Sequence, residues 1–484
     1  MEGLNFHAGH LWPELIFLVM VLLLFLGSMT KKAGLSGAIV SLCPLAALAA
    51  AAGAAVAFYL NSTLFFGAYK VDPLSQFFKI LVSLGYLVAW FNSRTQTTVA
   101  AGQKPDYYLF LTLSAFGLIL LSSAAELVTV YLAMELSSYS LYVLIPARSR
   151  SREAAEAGLK YIIFGAAATA LALYGLALII ATKNATVISE LSGLDWSLAG
   201  GPLAAAGLTL FLGGMFFKLA LFPFHFWCPD VYQGAGNETA AYVATLPKLG
   251  AVIVLIRLAA LLSPGLELTD ILAVLAACSI TYGNLCALAQ RDLKRMLGFS
   301  SVAHAGYILV GLVAGTAEGL AAAAFYAMAY VLMNLLCFWV VCRVAADGRN
   351  ITYEDLNGLS ARSPLLALCL LAAAFSLVGL PPTVGFIGKL WLITSAWGRG
   401  YDWLVIVVCV NTAIAIFYYL SLVRHSYTEE KIPAGGAQAL TLDLSLASRA
   451  GALILGLLVV LLGVLPGPVW SLVMAASQSV LPTP

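Results

Sequence analysis

The chain has 484 residues, of which 62% are hydrophobic and only 10% are charged. Soluble domains carry about 25% charged residues, so this composition excludes a single water-soluble domain and favours a chain whose solvent is lipid. The formal net charge is only +2 and the basic residues are spread along the chain, which excludes nucleic acid as a partner.

Apolar stretches of about 20 residues, the length that crosses a bilayer, recur along the chain. They predict an all-α polytopic membrane protein with fourteen transmembrane helices, numbered here in chain order: 12–29, 34–60, 72–92, 106–123, 127–145, 156–182, 203–226, 239–262, 268–288, 296–315, 318–343, 364–398, 402–424 and 449–471. The first stretch can span a bilayer and no small-residue cleavage site follows it, so it reads as helix 1 and not as a signal peptide. Helix 7 runs on past Pro223, and Pro381 and Pro382 interrupt helix 12.

The basic residues of the predicted loops are divided unequally between the two sides of the membrane. Three lie on one side: Lys70, Lys183 and Arg399. Sixteen lie on the other: Lys31, Lys32, Arg94, Lys104, Arg148, Arg150, Arg152, Arg291, Lys294, Arg295, Arg343, Arg349, Arg362, Arg424, Lys431 and Arg449. The positive-inside rule assigns the sixteen to the cytoplasm, which predicts a multi-pass protein of the bacterial inner membrane with both termini in the periplasm.

Helices 4–8 and 9–13 form two blocks of five spans, so the second block must enter the membrane with the opposite polarity. This divides the chain into 1–105, a first inverted repeat 106–262, a second 263–425, and a loop with helix 14 over 426–484. The prolines of helices 7 and 12 lie in the fourth helix of each block. Matched interruptions in inverted repeats indicate a transport site, although membrane helices also tolerate single prolines.

Away from the first and last three residues of each predicted span, seven charged residues lie inside the spans. A charge at mid-bilayer costs about 2.5–3.5 kcal/mol on insertion scales, so each needs a partner, water or a function. They are Glu135 and six bases: Lys79, Lys160, Lys218, Lys248, Arg257 and Lys389. A chain that repeats this cost across several helices is predicted to move ions.

Glu135 in helix 5 and Lys218 in helix 7 are the strongest candidates. A lysine loses proton affinity on burial and regains it beside a carboxylate, so a Glu135–Lys218 pair would make a proton site whose affinity changes when the pair separates. The alternatives are a static buried ion pair, or a neutral Glu135 carboxyl held by the hydroxyls of Ser137 and Ser138.

Lys248, His304 and Lys389 extend this set into helices 8, 10 and 12. Lys248 and Lys160 lie near the ends of their spans and could instead extend to the interface. A neutral imidazole passes protons near physiological pH, but a lone buried His is often only a hydrogen-bonded core residue. Lys79 and Arg257 read as structural. The sequence predicts that Glu135, Lys218, Lys248, His304 and Lys389 form a lateral row, a proton path and not a substrate pocket.

Metal, nucleotide and redox sites have no support in the sequence. The eight cysteines form no CxxC pair, so zinc and iron–sulfur ligation are not expected. No glycine-rich nucleotide motif follows a strand. We therefore expect no cofactor in this chain.

Several segments carry a family resemblance: AMELSSYSLYVLIPA, EAGLKYIIFGAAATALALYGLALI, FFKLALFPFHFWCPDVYQGA, RDLKRMLGFSSVAHAGYILVG and GLPPTVGFIGKLWL. They resemble subunit N of bacterial respiratory complex I (NADH:quinone oxidoreductase), one of the antiporter-like membrane subunits that are also found in Mrp-type antiporters and membrane-bound hydrogenases. The resemblance implies fourteen helices with two inverted five-helix repeats, each with a broken helix. It also implies homologous antiporter-like subunits as partners, with FMN, iron–sulfur clusters and quinone in other subunits.

The resemblance also implies roles for individual residues. Glu135 looks like the helix 5 glutamate that pairs with the helix 7 lysine, here Lys218. Lys248 looks like the connecting lysine of helix 8, Lys389 like the lysine of the exit half-channel, and Lys160 like the helix 6 lysine typical of subunit N.

The sequence departs from the family pattern after VYQGA, because the family usually has prolines where Gly236 and Thr239 stand. The chain also lacks the long lateral helix of the largest subunit of the group.

Three other functions compete with a proton-pumping subunit of complex I. One is an Mrp-type Na⁺/H⁺ antiporter subunit. Sodium sites require several clustered oxygen ligands, and a single carboxylate in the middle of a span is poor support for one. Another is the membrane subunit of a related hydrogenase or F420H₂ dehydrogenase, because the motifs leave the electron donor open. The third, a purely structural spacer, is hard to reconcile with so many charges inside the spans.

Overall fold

The computed structural model describes residues 8–30, 33–148, 151–192, 194–261, 267–429, 442–478 and 480. Helices 1–7 are Trp12–Met29, Ala33–Val40 with Cys43–Val56, Pro73–Arg94, Lys104–Ser123, Leu127–Leu144, Arg152–Lys183, and Pro202–Leu219 (7a) with Trp227–Gly234 (7b). Helices 8–14 are Asn237–Leu258, Glu267–Leu288, Leu293–Val313, Ala317–Val344, Pro364–Val378 (12a) with Val384–Ala396 (12b), Asp402–Tyr427 and Leu446–Val464. Short α-helices are Ile188–Leu191, Leu359–Arg362 and Gly467–Gln478, and short 3₁₀ helices are Ala8–Leu11, Ala101–Gln103, Ile145–Ala147, Ala259–Leu261 and Glu354–Leu356.

The predicted all-α membrane fold is confirmed. Thirteen helices of the described residues are long and apolar enough to span a membrane, and the two halves of helix 12 complete the fourteen. Helices 7 and 12 are both broken at the predicted prolines. Helix 2 differs from the prediction because it is interrupted at residues 41–42, just before Pro44 in the first turn of its second half.

A small antiparallel hairpin follows helix 2. Strand β1 (Ser62–Leu64) pairs with β2 (Tyr69–Val71), with Thr63 opposite Lys70. Asp72 then caps helix 3: its carboxylate accepts from the Ser75 N–H at 2.8 Å, and the Ser75 hydroxyl accepts from the Asp72 N–H. The hairpin fixes the point at which helix 3 enters the bundle.

Helices 8, 10 and 11 form the centre of the bundle. The apolar windows of these three helices are 94%, 100% and 94% buried, against 28% and 22% for helices 2 and 14. Helix 9 packs closely on helix 10 through glycine, because a Cβ atom added at Gly283 would lie 2.6 Å from the main-chain nitrogen of Ala303. Polar side chains of helices 8, 10 and 11 therefore lie far from lipid.

Contacts between loops define two faces of the bundle. On the first face, the Gln96 side chain donates to the Cys342 carbonyl at 2.5 Å, and Asn237 donates to the Ala345 carbonyl at 3.2 Å. We call this the basic face, because the predicted loops with sixteen basic residues belong to it. On the opposite face, the backbone of Tyr69 bridges to Ala124. Successive loops lie on alternate faces, as expected for a chain that crosses the membrane fourteen times.

Candidate functional site

The break in helix 7 exposes main-chain carbonyls inside the bundle. Helix 7a ends at Leu219, and Ala220 has a left-handed conformation (φ 61°). The N–H of Phe222, in the break, donates to Ser279 Oγ at 3.0 Å. The carbonyl of Leu219 accepts a hydrogen bond of 2.9 Å from the ammonium of Lys248, so the end of helix 7a holds the lysine of helix 8.

Helix 12 repeats this arrangement. Helix 12a ends at Val378, Gly379 has a positive φ of 89°, and Pro381 and Pro382 lie in the break. Lys389, in helix 12b, donates to the Val378 carbonyl at 2.8 Å. At both breaks the carbonyl end of the first half-helix, which carries partial negative charge, binds a buried lysine.

Glu135 and Lys218 lie close together but do not form the predicted direct pair. Lys218 donates to the hydroxyl of Ser138, and Glu135 accepts from Thr169 Oγ1 at 2.9 Å. Neither residue is in an ion pair within 4.0 Å among the described residues. In this conformation the pair is separated, and the ammonium binds a hydroxyl one helical turn away from Glu135.

A small cavity adjoins Lys218. Its volume is about 10 Å³, close to the space that one water molecule needs. Lys218, Ser137, Ser138 and Pro247 are among the residues that line it. The ammonium of Lys218 also lies 5.2 Å from the ring centre of Phe217. Lys218 therefore has a hydroxyl, a ring and room for one water as neighbours.

Lys248 connects the two halves of the bundle. Besides the Leu219 carbonyl, it donates to the hydroxyl of Ser301 on helix 10. Ser301 is 2.6 Å from the hydroxyl of Tyr330 on helix 11, which donates to the Ala244 carbonyl at 2.9 Å. All of these side chains are buried. They form a hydrogen-bonded cluster across the three central helices.

His304 lies one turn beyond Ser301 on helix 10. Its Nδ1 is 2.7 Å from the Tyr326 hydroxyl, and its Nε2 is 3.1 Å from the Tyr419 hydroxyl. The ring centre of Tyr307 is 5.7 Å from the ring centre of His304 and 4.4 Å from the Lys389 ammonium. The structure thus brings His304 and Lys389 to the same aromatic cluster.

Lys160 lies apart from this row. Its side chain is 37% exposed and forms ion pairs of 2.7 Å with Glu156 and with Asp230 of helix 7b. Asp230 also pairs with Arg295. These residues line an open polar cavity of about 400 Å³ with Gln233. The structure therefore groups Lys160 with surface charges and not with the buried lysines.

The remaining intramembrane bases have buried carboxylate partners near the opposite face. Lys79 pairs with Glu14 of helix 1 at 2.5 Å. Arg257 binds Asp72 with two hydrogen bonds of 3.0 Å. Burial raises the pKa of Asp72, but the Arg257 guanidinium and the Ser75 N–H more than offset this, so the pKa lies below its usual value. These pairs fit the predicted structural role.

The sequence did not identify several members of the site. Ser301 and Tyr419 carry much of the hydrogen bonding, and Tyr330 lies one turn after Tyr326 on the same face of helix 11. Such spacing is a usable signal only once the neighbouring helices are known. Among the described residues, no group of three His, Cys, Asp or Glu side chains could hold a metal ion.

Comparison with known sequences gives a consistent family. The family described as "NADH:quinone oxidoreductase/Mrp antiporter, TM" matches residues 124–415. "NADH-quinone oxidoreductase subunit N 2" of Solidesulfovibrio magneticus is 55% identical over 98% of this chain and 99% of its own length. The protein of the same name from Opitutus terrae is 44% identical over 94% of both chains.

Solved structures agree with the sequence comparison. A chain of respiratory complex I from Thermus thermophilus with bound aureothin is 34% identical, has a TM-score of 0.82, and matches over 96% of this chain and 100% of its own. A chain of the Mrp complex from Dietzia shares the fold, with 20% identity, a TM-score of 0.84, and coverage of 98% and 97%. Since the family covers well over half of this sequence and its relatives nearly all of it, the chain belongs to the NADH:quinone oxidoreductase/Mrp antiporter family of membrane subunits, in the group of subunit N.

Proposed function

We propose that this chain is a proton-translocating subunit of the membrane arm of NADH:quinone oxidoreductase, driven by quinone reduction in other subunits. The observation that supports it most is the series of buried contacts from helix 5 to helix 12. It runs from Lys218 through Lys248 to His304 and Lys389, and hydroxyls, main-chain carbonyls and aromatic rings connect its members. Four groups that bind protons thus follow one another from helix 7 to helix 12.

The switch in this proposal is an exchange of partners at Lys218. Ser138 and Glu135 are three residues apart on helix 5, so they lie on one side of that helix. When the ammonium moves from the Ser138 hydroxyl to the Glu135 carboxylate, the charged form is stabilised; when it moves back, the proton is released more easily. Moving one charge against 100 mV requires about 2.3 kcal/mol, and the exchange of a neutral hydroxyl for a carboxylate is the source of that difference in this proposal.

The later groups of the row have distinct roles. Lys248 and His304 relay protons between the halves of the bundle, and Lys389 holds the proton near the exit. Lys160 and its carboxylate partners collect protons at the basic face, outside the buried row. The inverted repeats 106–262 and 263–425, flanked by 1–105 and 426–484, are the structural units of this mechanism.

A sodium-transporting antiporter is less well supported. A sodium site requires several oxygen ligands close together. Glu135 is held by one threonine hydroxyl, and its second oxygen, Oε2, has no hydrogen-bond partner among the described residues. The likeness to the Mrp complex concerns the fold alone.

The proposal is tested on the native complex. We expect a complex purified through a tag on this chain to oxidise NADH with quinone and to acidify vesicles, with FMN and iron–sulfur clusters in its other subunits. The isolated chain should contain no stoichiometric flavin, haem or iron–sulfur cluster, because it offers no nucleotide motif or cysteine cluster. A complex that uses another electron donor, or a redox cofactor in the isolated chain, would contradict this assignment.

The orientation in the membrane gives a further prediction. Because the loops of the basic face carry sixteen of the Lys and Arg residues, that face should be cytoplasmic and both termini periplasmic. Alkaline phosphatase fused after Gln478 should therefore be active, and the same reporter fused after Arg349 should be inactive. The reverse pattern would overturn the orientation.

A further inference from the structure

A second buried acid lies at the basic face, outside the row described above. Glu238, in the first turn of helix 8, is only 1% exposed. The hydroxyl of Thr98 donates to its Oε1, and its Oε2 has no hydrogen-bond partner among the described residues. A buried carboxylate with a free oxygen is costly unless it binds a proton or a polar ligand.

Glu238 lies next to a large opening. A cavity of about 530 Å³ on the basic face is lined by Thr98, Arg148, Arg349 and other polar residues. Because Thr98 both lines this cavity and donates to Glu238, the carboxylate is one hydrogen bond away from the cavity. Protons from the aqueous side can therefore reach it.

The backbone around Glu238 is suited to this position. A Cβ atom built at Gly236 would lie 2.8 Å from Oε1 of Glu238. Any other residue at 236 would displace the carboxylate. Gly236 therefore leaves the room that the acid occupies.

A polar series leads inward from Glu238. Tyr242 follows one turn later on helix 8, and its buried hydroxyl has no hydrogen-bond partner among the described residues. Helix 4, which packs on helix 8, carries Ser114. The hydroxyl of Ser114 is 3.0 Å from that of Ser137. Ser137 lines the small cavity beside Lys218. Tyr242, Ser114 and Ser137 thus supply hydroxyls for a path from the open cavity to the lysine that the mechanism above requires to be loaded.

We propose that Glu238 takes up protons from the basic face and delivers them through Tyr242, Ser114 and Ser137 to Lys218. The carboxylate binds one proton from water in the cavity and becomes a neutral acid. Its proton then passes along the hydroxyls, each of which accepts one proton and donates its own, until the neutral Lys218 amine becomes an ammonium. No electron transfer or metal ion is involved. The proposal rests on the proposed function and names the uptake group for it.

The test compares variants in which size is kept and acidity is changed. Glu238→Gln has the same shape but cannot take up a proton, so we expect NADH-driven proton uptake by native-membrane vesicles to fall several-fold per assembled complex. Glu153→Gln is the matched control, because it makes the same change at an exposed acid on the wall of the same cavity. That control should pump at the normal rate.

A second pair keeps the test valid if Glu238→Gln fails to assemble. Glu238→Asp and Glu238→Asn are equal in size, and only the first keeps an acid, so pumping should be faster in Glu238→Asp. Normal pumping by Glu238→Gln, or equal pumping by the Asp and Asn variants, would overturn the proposal. Lys218→Ala in the same vesicles separates the two hypotheses. If Lys218→Ala stops pumping while Glu238→Gln pumps normally, only the uptake route through Glu238 is refuted. If both variants pump normally, the buried row itself is refuted.

Discussion

Replacing Lys218 with Ala is expected to lower NADH-driven proton pumping about tenfold or more in a complex that assembles normally, equivalent to about 1.4 kcal/mol or more of lost barrier stabilisation. The reason is that Lys218 is the group that exchanges the Ser138 hydroxyl for the Glu135 carboxylate. Lys218→Arg should be nearly as harmful, because arginine stays charged whichever partner it contacts. The measurement is the number of protons pumped per electron, together with quinone reduction.

The matched control for this prediction is Lys183→Ala. Lys183 lies at the end of helix 6 near the surface and donates to the main-chain carbonyl of Asp195 at 2.6 Å, far from the row. This variant should pump normally. Complex content must be measured on native gels for every variant, since a loss that follows failed assembly carries no information. A Lys218→Arg complex with an ordinary proton-to-electron ratio would refute the switch.

Replacing Arg257 with Met is expected to lower the stability of the complex and to leave proton transfer unchanged. Asp72 has no exposed surface, and Arg257 is its bidentate partner. Breaking a buried pair by removing one partner costs about 3–5 kcal/mol, because a charge is left buried. Arg257 also lines an open cavity of about 390 Å³, and water entering there should keep the loss near the lower end of that range. The midpoint of thermal unfolding of the purified complex is the readout.

A double variant distinguishes the loss of the Asp72–Arg257 ion pair from the loss of the arginine side chain itself. Asp72→Asn combined with Arg257→Gln removes both charges and keeps groups that can hydrogen bond to each other. The double variant should recover much of the stability lost in Arg257→Met. If Arg257→Met assembles and melts like the parent, the pair does not hold helix 3 against helix 8.

The sequence predicts most of this fold because lipid imposes a simple rule. A span must be apolar for about 20 residues, and loop charges record its direction. The prediction misses features that depend on local geometry. The interruption of helix 2 before Pro44 and the helix Gly467–Gln478 are such features, since both occur within or beside uninterrupted apolar sequence.

The charged members of the site are visible in the sequence because a charge inside an apolar span stands out. Their partners are not, because periodicity does not tell which helices are neighbours. The sequence offers Ser138 only as a neighbour of Glu135 and not as a partner of Lys218, and Thr169 looks like an ordinary helix hydroxyl until helices 5 and 6 are brought together. Glu238 is hidden for another reason. An acid in the first turn of a helix normally reads as a surface residue, whereas Glu238 is buried with the Thr98 hydroxyl of the loop after helix 3 bound to it.

The two broken helices have a consequence for how this protein can vary. Lys248 and Lys389 are bound by the carbonyls of Leu219 and Val378, which are atoms of the main chain. A substitution at 219 or 378 changes the side chain and leaves the acceptor in place. The main-chain part of each lysine's binding site is therefore insulated from point mutation. Substitution of side chains one by one will identify the lysines but not the main-chain atoms that bind them. Selection can adjust these sites mainly by moving the ends of the half-helices.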